Sequence, residues 1–169
     1  MADVLHSVAD DESRLSRLLE TYTVVQGRPD AAAEGQALAA QLAMEMHAYS
    51  LAVRQALHTA LPHAGALLPQ DSDGLAQCEW LAARAAAADL SSPQRDALVG
   101  QFREAFDTMR AQQRSHLWPR LPANRLAALD ADYRHSAQAA REAWKRLRQR
   151  DQAPEDESAD PVGPGDADT

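Results

Sequence analysis

The sequence predicts an all-α protein, an antiparallel up-down four-helix bundle with an additional C-terminal helix. Composition favours helices, because the 169-residue chain is rich in alanine, leucine, arginine, glutamine and glutamate and has only 5% aromatic residues. Apolar residues recur at spacings of three and four, and proline and glycine lie between these periodic segments. A bundle is the simplest way for several amphipathic helices with short connections to bury their apolar stripes.

The first three helices follow from this periodicity. The first is predicted over residues 3–25, and residues 27–30 then interrupt it with glycine and proline. The second is predicted over residues 31–62. A loop containing proline, glycine and aspartate is expected over residues 62–74, and a third helix over residues 74–89.

The fourth helix has a clear start signal in Ser91 and Pro93, a capping serine followed by a proline in the first turn. Its apolar stripe continues until Pro119 ends the helix. A fifth, basic helix is predicted over residues 123–150, and its amphipathic part, residues 126–147, is a candidate contact surface for a partner.

Residues 1–150 are interpreted as one domain, and residues 151–169 as a disordered acidic tail. Seven of the 25 acidic residues lie in this tail, together with several prolines and glycines and no lysine or arginine. Such a segment cannot bury enough apolar surface to offset the entropy lost on ordering. The net charge of −8 therefore belongs mainly to the tail, because 18 acidic and 17 basic residues remain elsewhere.

Several functional classes lack support in the sequence. There is no run of about 18 apolar residues for a membrane span, and the acidic start has no apolar signal core. A single cysteine, Cys78, fits a reducing cytoplasm, and the abundance of alanine and arginine suggests a bacterial, GC-rich genome. Without a phosphate loop or a nucleophile elbow, we do not expect an enzyme.

One stretch carries a family resemblance, "DGLAQCEWLAARAAAADLSSPQRDALVGQFREAFDTMRAQQRSHLWPRL". With it, the chain from Asp3 to about Arg141 resembles the hemerythrin-like (HHE) cation-binding domains. The resemblance implies a four-helix bundle that binds a di-iron or other metal pair. Its ligands would be a histidine on the first and third helices and His-x3-Glu on the second and fourth, the last shortly before an "LWPRL" ending. Ligands four residues apart lie on one face of a helix.

Carried over to this sequence, the six ligand positions of the family hold other residue types: Glu12, Tyr49, Val53, Cys78, Met109 and Gln113. The resemblance therefore implies a degenerate member that has lost its metal and uses no cofactor. Apolar volume is expected to fill the former site, because an empty cavity and an unpaired buried ligand both cost stability. The same six positions form our candidate ligand-binding pocket.

Two functional hypotheses follow. The first is a metal-free, non-enzymatic binding or regulatory module that recognises a protein partner or a small apolar ligand. The alternative is a hemerythrin-like metalloprotein that binds iron and oxygen or nitric oxide through a non-standard site. Neither a membrane nor a nucleic acid is expected as a partner, and the oligomeric state is left open.

Individual residues in the pocket carry their own expectations. Glu12 is expected near an end of the bundle, where its side chain reaches water. Gln113 and His116 are interpreted in two ways, as hydrogen-bonding partners of Glu12 or Tyr49 or as a solvated helix end. Cys78 is expected to be a small buried hydrophobic residue.

Tryptophans and basic residues outside this pocket carry expectations as well. The three tryptophans are expected to be packing residues: Trp80, Trp118 and Trp144. The basic residues of the fifth helix spread around it and are followed at once by the acidic tail. We therefore hypothesise that tail and helix attract each other electrostatically.

Overall fold

A computed structural model describes residues 3–60 and 69–151, and the regular structure of these residues is entirely helical. It contains five α-helices packed together: α1 (Val4–Val25), α2 (Ala32–Ala60), α3 (Pro69–Ala85), α4 (Ser92–Gln112) and α5 (Leu126–Asp151). The all-α prediction is confirmed at this level. Of the loop predicted over residues 62–74 and the disordered tail predicted over residues 151–169, residues 62–68 and 152–169 lie outside the described residues, whereas residues 69–74 and Asp151 are helical.

Three predicted boundaries are wrong, and one of them is the end of α3, which lies at Ala85 and not near residue 89. Helix α3 begins at Pro69, not near residue 74, because proline is tolerated in the first turn, where the backbone N–H needs no helical partner. The fourth helix does not continue unchanged to Pro119. It leaves α-helical geometry at Gln112, passes through a π-helical segment, Gln113–Leu117, and ends in a 3-10 turn, Trp118–Arg120.

Local sequence signals account for the helix ends. The Asp3 side chain accepts a hydrogen bond of 3.1 Å from the His6 backbone N–H and caps α1. Beyond the end of α1, Gly27 has a φ of +74°, a left-handed conformation that favours glycine. Ser91 and Gln94 form a reciprocal capping box at the start of α4, so the serine predicted as a cap is one.

Hydrogen bonds between helices establish their relative directions. Glu12 near the middle of α1 bonds Arg114, just beyond α4, whereas Tyr22 near the end of α1 bonds Asp96 at the start of α4. Helices α1 and α4 are therefore antiparallel. Helix α2 contacts α1, α3 and α5, and α3 also contacts α4.

Helix α5 packs against α1 and α2, parallel to α1. Ser7 bonds Asp130 and, one turn later along both helices, Asp11 bonds Tyr133. The apolar stripe of α5 is buried by these contacts, so the free contact surface expected over residues 126–147 is not available as such. Leu147, near the end of this stripe, is a large apolar residue that remains 58% exposed.

The core combines large side chains with closely packed alanines. Phe102 and Phe106 stack with ring centroids 5.6 Å apart. Buried alanines line α2 and permit close helix approach: Ala39, Ala43, Ala48, Ala52, Ala56 and Ala60. Trp118 and Trp144 pack against the core as expected, but Trp80 is 62% exposed, so its predicted packing role is wrong.

No helix in the described ranges, 3–60 and 69–151, has a long enough apolar stretch to cross a membrane.

Arg95 holds the turn between α3 and α4. Its buried guanidinium donates to the backbone carbonyls of Ala85 and Ala87 at 3.0 Å and to that of Leu90 at 3.4 Å. These carbonyls lie at and beyond the end of α3, where helical N–H partners are lacking. The Arg95 side chain, from the first turn of α4, thus supplies hydrogen bonds to the backbone carbonyls at the end of α3.

We expect Arg95→Ala to lower the free energy of unfolding by about 3 kcal/mol, because it removes charge-assisted bonds and leaves carbonyls unpaired. Urea unfolding followed by circular dichroism measures this loss. The exposed Arg17→Ala is the matched control and should change stability by less than about 0.5 kcal/mol. Equal small effects of both substitutions would contradict the assigned role.

Candidate functional site

The six positions singled out by the sequence are all buried in the interior. Their exposed fractions are between 0 and 3%, for Glu12, Tyr49, Val53, Cys78, Met109 and Gln113. The expectation that Glu12 reaches water is wrong, because 3% of this residue is accessible. Whether these residues bind a ligand stays a prediction.

Tyr49 is the centre of a hydrogen-bonded cluster joining α1, α2 and the segment after α4. Its hydroxyl lies 2.6 Å from Oε1 of Gln113 and 3.3 Å from Oε1 of Glu12. Since a hydroxyl has one proton, the shorter bond to Gln113 takes it and the contact with Glu12 is secondary. The second carboxylate oxygen of Glu12 accepts a bond of 2.9 Å from Arg114, which is largely exposed and links the cluster to solvent.

Gln113 contributes an unusual feature to this cluster. It opens the π-helical segment, it is 1% exposed, and its Nε2 atom has no hydrogen-bond partner among the residues that the structure describes. In either orientation of the amide, one of its two polar atoms lacks a partner within this part of the chain. The prediction that Gln113 bonds Tyr49 is confirmed, whereas His116 is exposed.

The remaining three positions supply apolar volume and sulfur. Cys78 is a buried free thiol, and burial, with a smaller effect of the Glu79 charge, raises its pKa to about 12. Met109 packs against Gly74, where an added Cβ would come within 3.4 Å of the methionine Cγ. The thiol is therefore protonated and unreactive at neutral pH, as expected for a small buried residue.

A second buried polar cluster was missed by the sequence analysis. Nη2 of Arg141 lies 2.6 Å from Oδ1 of Asp11 and 2.8 Å from Oε2 of Glu45, so one guanidinium joins α1, α2 and α5. The Tyr133 hydroxyl donates to the other oxygen of Asp11 at 3.0 Å. Arg14 lies 3.8 Å from both acids at the solvent side.

A sequence signal for this cluster exists. Tyr133, Ala137 and Arg141 follow one another at intervals of four, which places the arginine beside the buried stripe of α5. Glu45 lies four residues before Tyr49 on α2 in the same way. A charged residue four positions from a buried residue of an apolar stripe therefore indicates a charge that is buried between helices.

The expectation that apolar volume fills the former site is only partly right, since carboxylates, an amide and two hydroxyls are buried in these two clusters as well. Among the residues that the structure describes, no group of three or more histidine, cysteine, aspartate or glutamate side chains is placed to hold a metal ion.

Met109 also lines a groove of about 530 Å³ between α3 and α4. Leu81, Ala105 and Met109 provide its apolar part, whereas its polar side chains come from both helices: Asp73, Gln77, Gln101, Glu104, Thr108 and Gln112. Of the six interior positions, Met109 is the one that connects to this groove.

Comparison of the chain with family models, with curated proteins and with solved structures found no match in any of the three.

The Tyr49 cluster can be tested by a double-mutant cycle. We expect Tyr49→Phe to lower the free energy of unfolding by about 1–3 kcal/mol, because it leaves buried acceptors without their donor. In Tyr49→Phe/Gln113→Met the loss should be smaller than the sum of the two single losses, since both partners are then apolar. Urea unfolding of all four chains gives the coupling free energy.

Tyr22→Phe is the matched control for this cycle. It makes the same chemical change at a hydroxyl that donates to Asp96, a residue with access to water. A loss in Tyr22→Phe as large as that in Tyr49→Phe, or strict additivity in the cycle, would contradict a coupled interior cluster.

The three tyrosines of the chain predict a pH dependence of stability. Burial raises the pKa of Tyr49, Tyr133 and Tyr22, and the nearby carboxylates of Glu12, Asp11 and Asp96, respectively, raise it further. A pKa raised in the folded state stabilises that state below the unfolded value of about 10, and this stabilisation is lost as the pH rises above it.

We therefore expect the free energy of unfolding to fall above about pH 10. Tyrosinate absorbance at 295 nm should rise together with the loss of helical circular dichroism. In urea-unfolded chain the tyrosines should titrate near pH 10. Tyrosinate formation near that pH in a fully helical chain would show that the tyrosines are not held as described.

Proposed function

We propose that this protein is a metal-free, non-enzymatic binding or regulatory module on a hemerythrin-like scaffold. In this proposal α1–α4 form an antiparallel up-down four-helix bundle, and α5 is the additional helix. The observation that carries the proposal is the Tyr49 cluster. At the positions where the family resemblance implies metal ligands, the polar side chains bond one another, with a hydroxyl–amide distance of 2.6 Å between Tyr49 and Gln113.

The chemistry of the other positions supports the same interpretation. Iron and zinc sites in proteins are built from imidazole, carboxylate and thiolate groups that converge on one point. Val53 offers no donor atom, Met109 offers a weakly donating thioether, and the Cys78 thiol is protonated at neutral pH. The Glu12 carboxylate is already paired with Arg114 at 2.9 Å.

The buried acids also argue against acid–base catalysis. Asp11 and Glu12 are 7% and 3% exposed, and each is in an ion pair with an arginine, Arg141 and Arg114. A paired carboxylate shielded from solvent is poorly placed to exchange protons with a substrate. We therefore assign both acids to holding helices together.

A protein partner would meet exposed apolar side chains on the helices. Trp80 on α3 is 62% exposed and Leu51 on α2 is 41% exposed. Large exposed aromatic residues frequently contribute much of the binding free energy of an interface. Trp80 is therefore the first residue to substitute when a partner is sought.

A small apolar ligand is the second candidate, favoured by the α3–α4 groove. Its volume of about 530 Å³ is within the range of small-molecule sites, and Met109, one of the six interior positions, lines it. Methionine is a side chain that adapts readily to different ligand shapes.

Metal binding separates the proposal from the alternative of an iron protein that binds oxygen or nitric oxide. The full chain, produced in iron-supplemented medium and purified without chelator, is analysed for metals by mass spectrometry. It is then titrated anaerobically with ferrous iron and exposed to oxygen or nitric oxide. We expect far less than one iron atom per chain and no visible absorption band.

Glu12→Gln is the matched control, because it removes the one carboxylate among the six interior positions. The native chain and the variant should give the same metal content. Stoichiometric iron in the native chain, lost in Glu12→Gln, would establish the metalloprotein alternative instead.

A further inference from the structure

An apolar groove lies at the C-terminal end of α5, away from the interior site. Ala40 of α2, Ala86 after α3, and Trp144 and Leu147 of α5 form its apolar part, and Arg148 and Asp151 complete it. Its volume is about 330 Å³. We call this groove, together with the basic side chains around it, the C-terminal patch.

The apolar part of the patch continues the apolar stripe of α5, whose earlier residues are buried against α1 and α2. Tyr133, Ala137 and Ala140 are buried, Trp144 is partly buried with its ring 5.6 Å from that of His47, and Leu147 is 58% exposed. The stripe thus extends one turn further than the described helices cover it. Its last turn is available to another segment.

Four basic residues lie on the last two turns of α5, and Arg148 is the one that lines the groove itself, beside the Asp151 carboxylate. Lys145, Arg146, Arg148 and Arg150 are all exposed. Lys145 pairs with Glu142 at 3.3 Å, and the three arginines form no ion pair with any described side chain. Such a surface attracts an acidic segment with some apolar residues.

Residues 152–169 have this chemistry and begin at the edge of the patch. They contain valine, prolines and six acidic residues, with no lysine or arginine: Glu155, Asp156, Glu157, Asp160, Asp166 and Asp168. Extended chain spans about 3.3 Å per residue, so Glu155 can lie about 13 Å from Asp151. Arg148 lies three residues before Asp151, only about 5 Å along the helix, so these acids can reach it.

We propose that the C-terminal patch binds an acidic segment and that the chain's own residues 152–169 are its occupant. A segment tethered this closely has an effective concentration in the millimolar range, so it competes with any other anionic molecule for the patch.

The test uses a labelled peptide with the sequence of residues 152–169 and the full-length chain in two forms. One is native, and the other has a neutral tail: Glu155→Gln, Asp156→Asn, Glu157→Gln, Asp160→Asn, Asp166→Asn and Asp168→Asn. Fluorescence anisotropy at low salt measures binding of the peptide. We expect the peptide to bind the neutral-tail chain about tenfold more tightly than the native chain, because the native tail occupies the patch.

Substitutions in the neutral-tail chain locate the binding surface. Arg146→Glu/Arg148→Glu and, separately, Leu147→Ser should weaken peptide binding, and added salt should weaken it as well. Arg125→Glu is the control, because this exposed arginine lies immediately before the start of α5, about 35 Å from Arg148 along the helix axis.

Three outcomes would overturn the proposal. The first is equal binding of the peptide to the native and neutral-tail chains, and the second is no peptide binding to either. The third is binding of a short single-stranded DNA by the neutral-tail chain without binding of the peptide, which would assign the patch to nucleic acid.

Discussion

Two adjacent buried carboxylates on α1, Asp11 and Glu12, are the constraint on which the helix arrangement depends. Consecutive residues of a helix point about 100° apart, so the two acids face different neighbours. Asp11 bonds Tyr133 and Arg141 of α5, whereas Glu12 contacts Tyr49 of α2 and is paired with Arg114 beyond α4. Burying either acid without its arginine would be very costly, so both arginine-bearing segments must pack where they do.

This arrangement favours specificity over maximal stability. Replacing a buried ion pair by well-packed apolar residues is often neutral or stabilising, whereas removing one partner is strongly destabilising. Arg141 can satisfy Asp11 and Glu45 together only when α5 is aligned correctly against α1 and α2. A slip of α5 by one turn would leave its apolar stripe in contact with both helices but would break these bonds. The ionic cluster therefore selects one alignment among several that apolar packing alone permits.

The sequence predicts local structure better than it predicts the interior. Apolar periodicity locates the helices, and Ser91 marks the start of α4, because these signals arise from residues close together in the chain. The burial of Glu12 could not be predicted in this way, since its partner Arg114 is 102 residues away in sequence. The burial of Arg141 was likewise not predicted, although its spacing from Tyr133 places it beside the buried stripe. Charge composition does not tell which charges meet inside the protein.

The π-helical segment Gln113–Leu117 has a consequence for how this protein can change in length. A π turn holds more residues than an α turn, so it accommodates an extra residue without rotating the helix that precedes it. Loss of one residue between Arg114 and His116 could restore regular α-helix and leave Phe106 and Met109 facing the same neighbours. Evolutionary insertion or deletion should therefore be tolerated best in this segment just after α4. Related sequences aligned with this chain should show a single-residue gap there, before the Trp118-Pro119 pair.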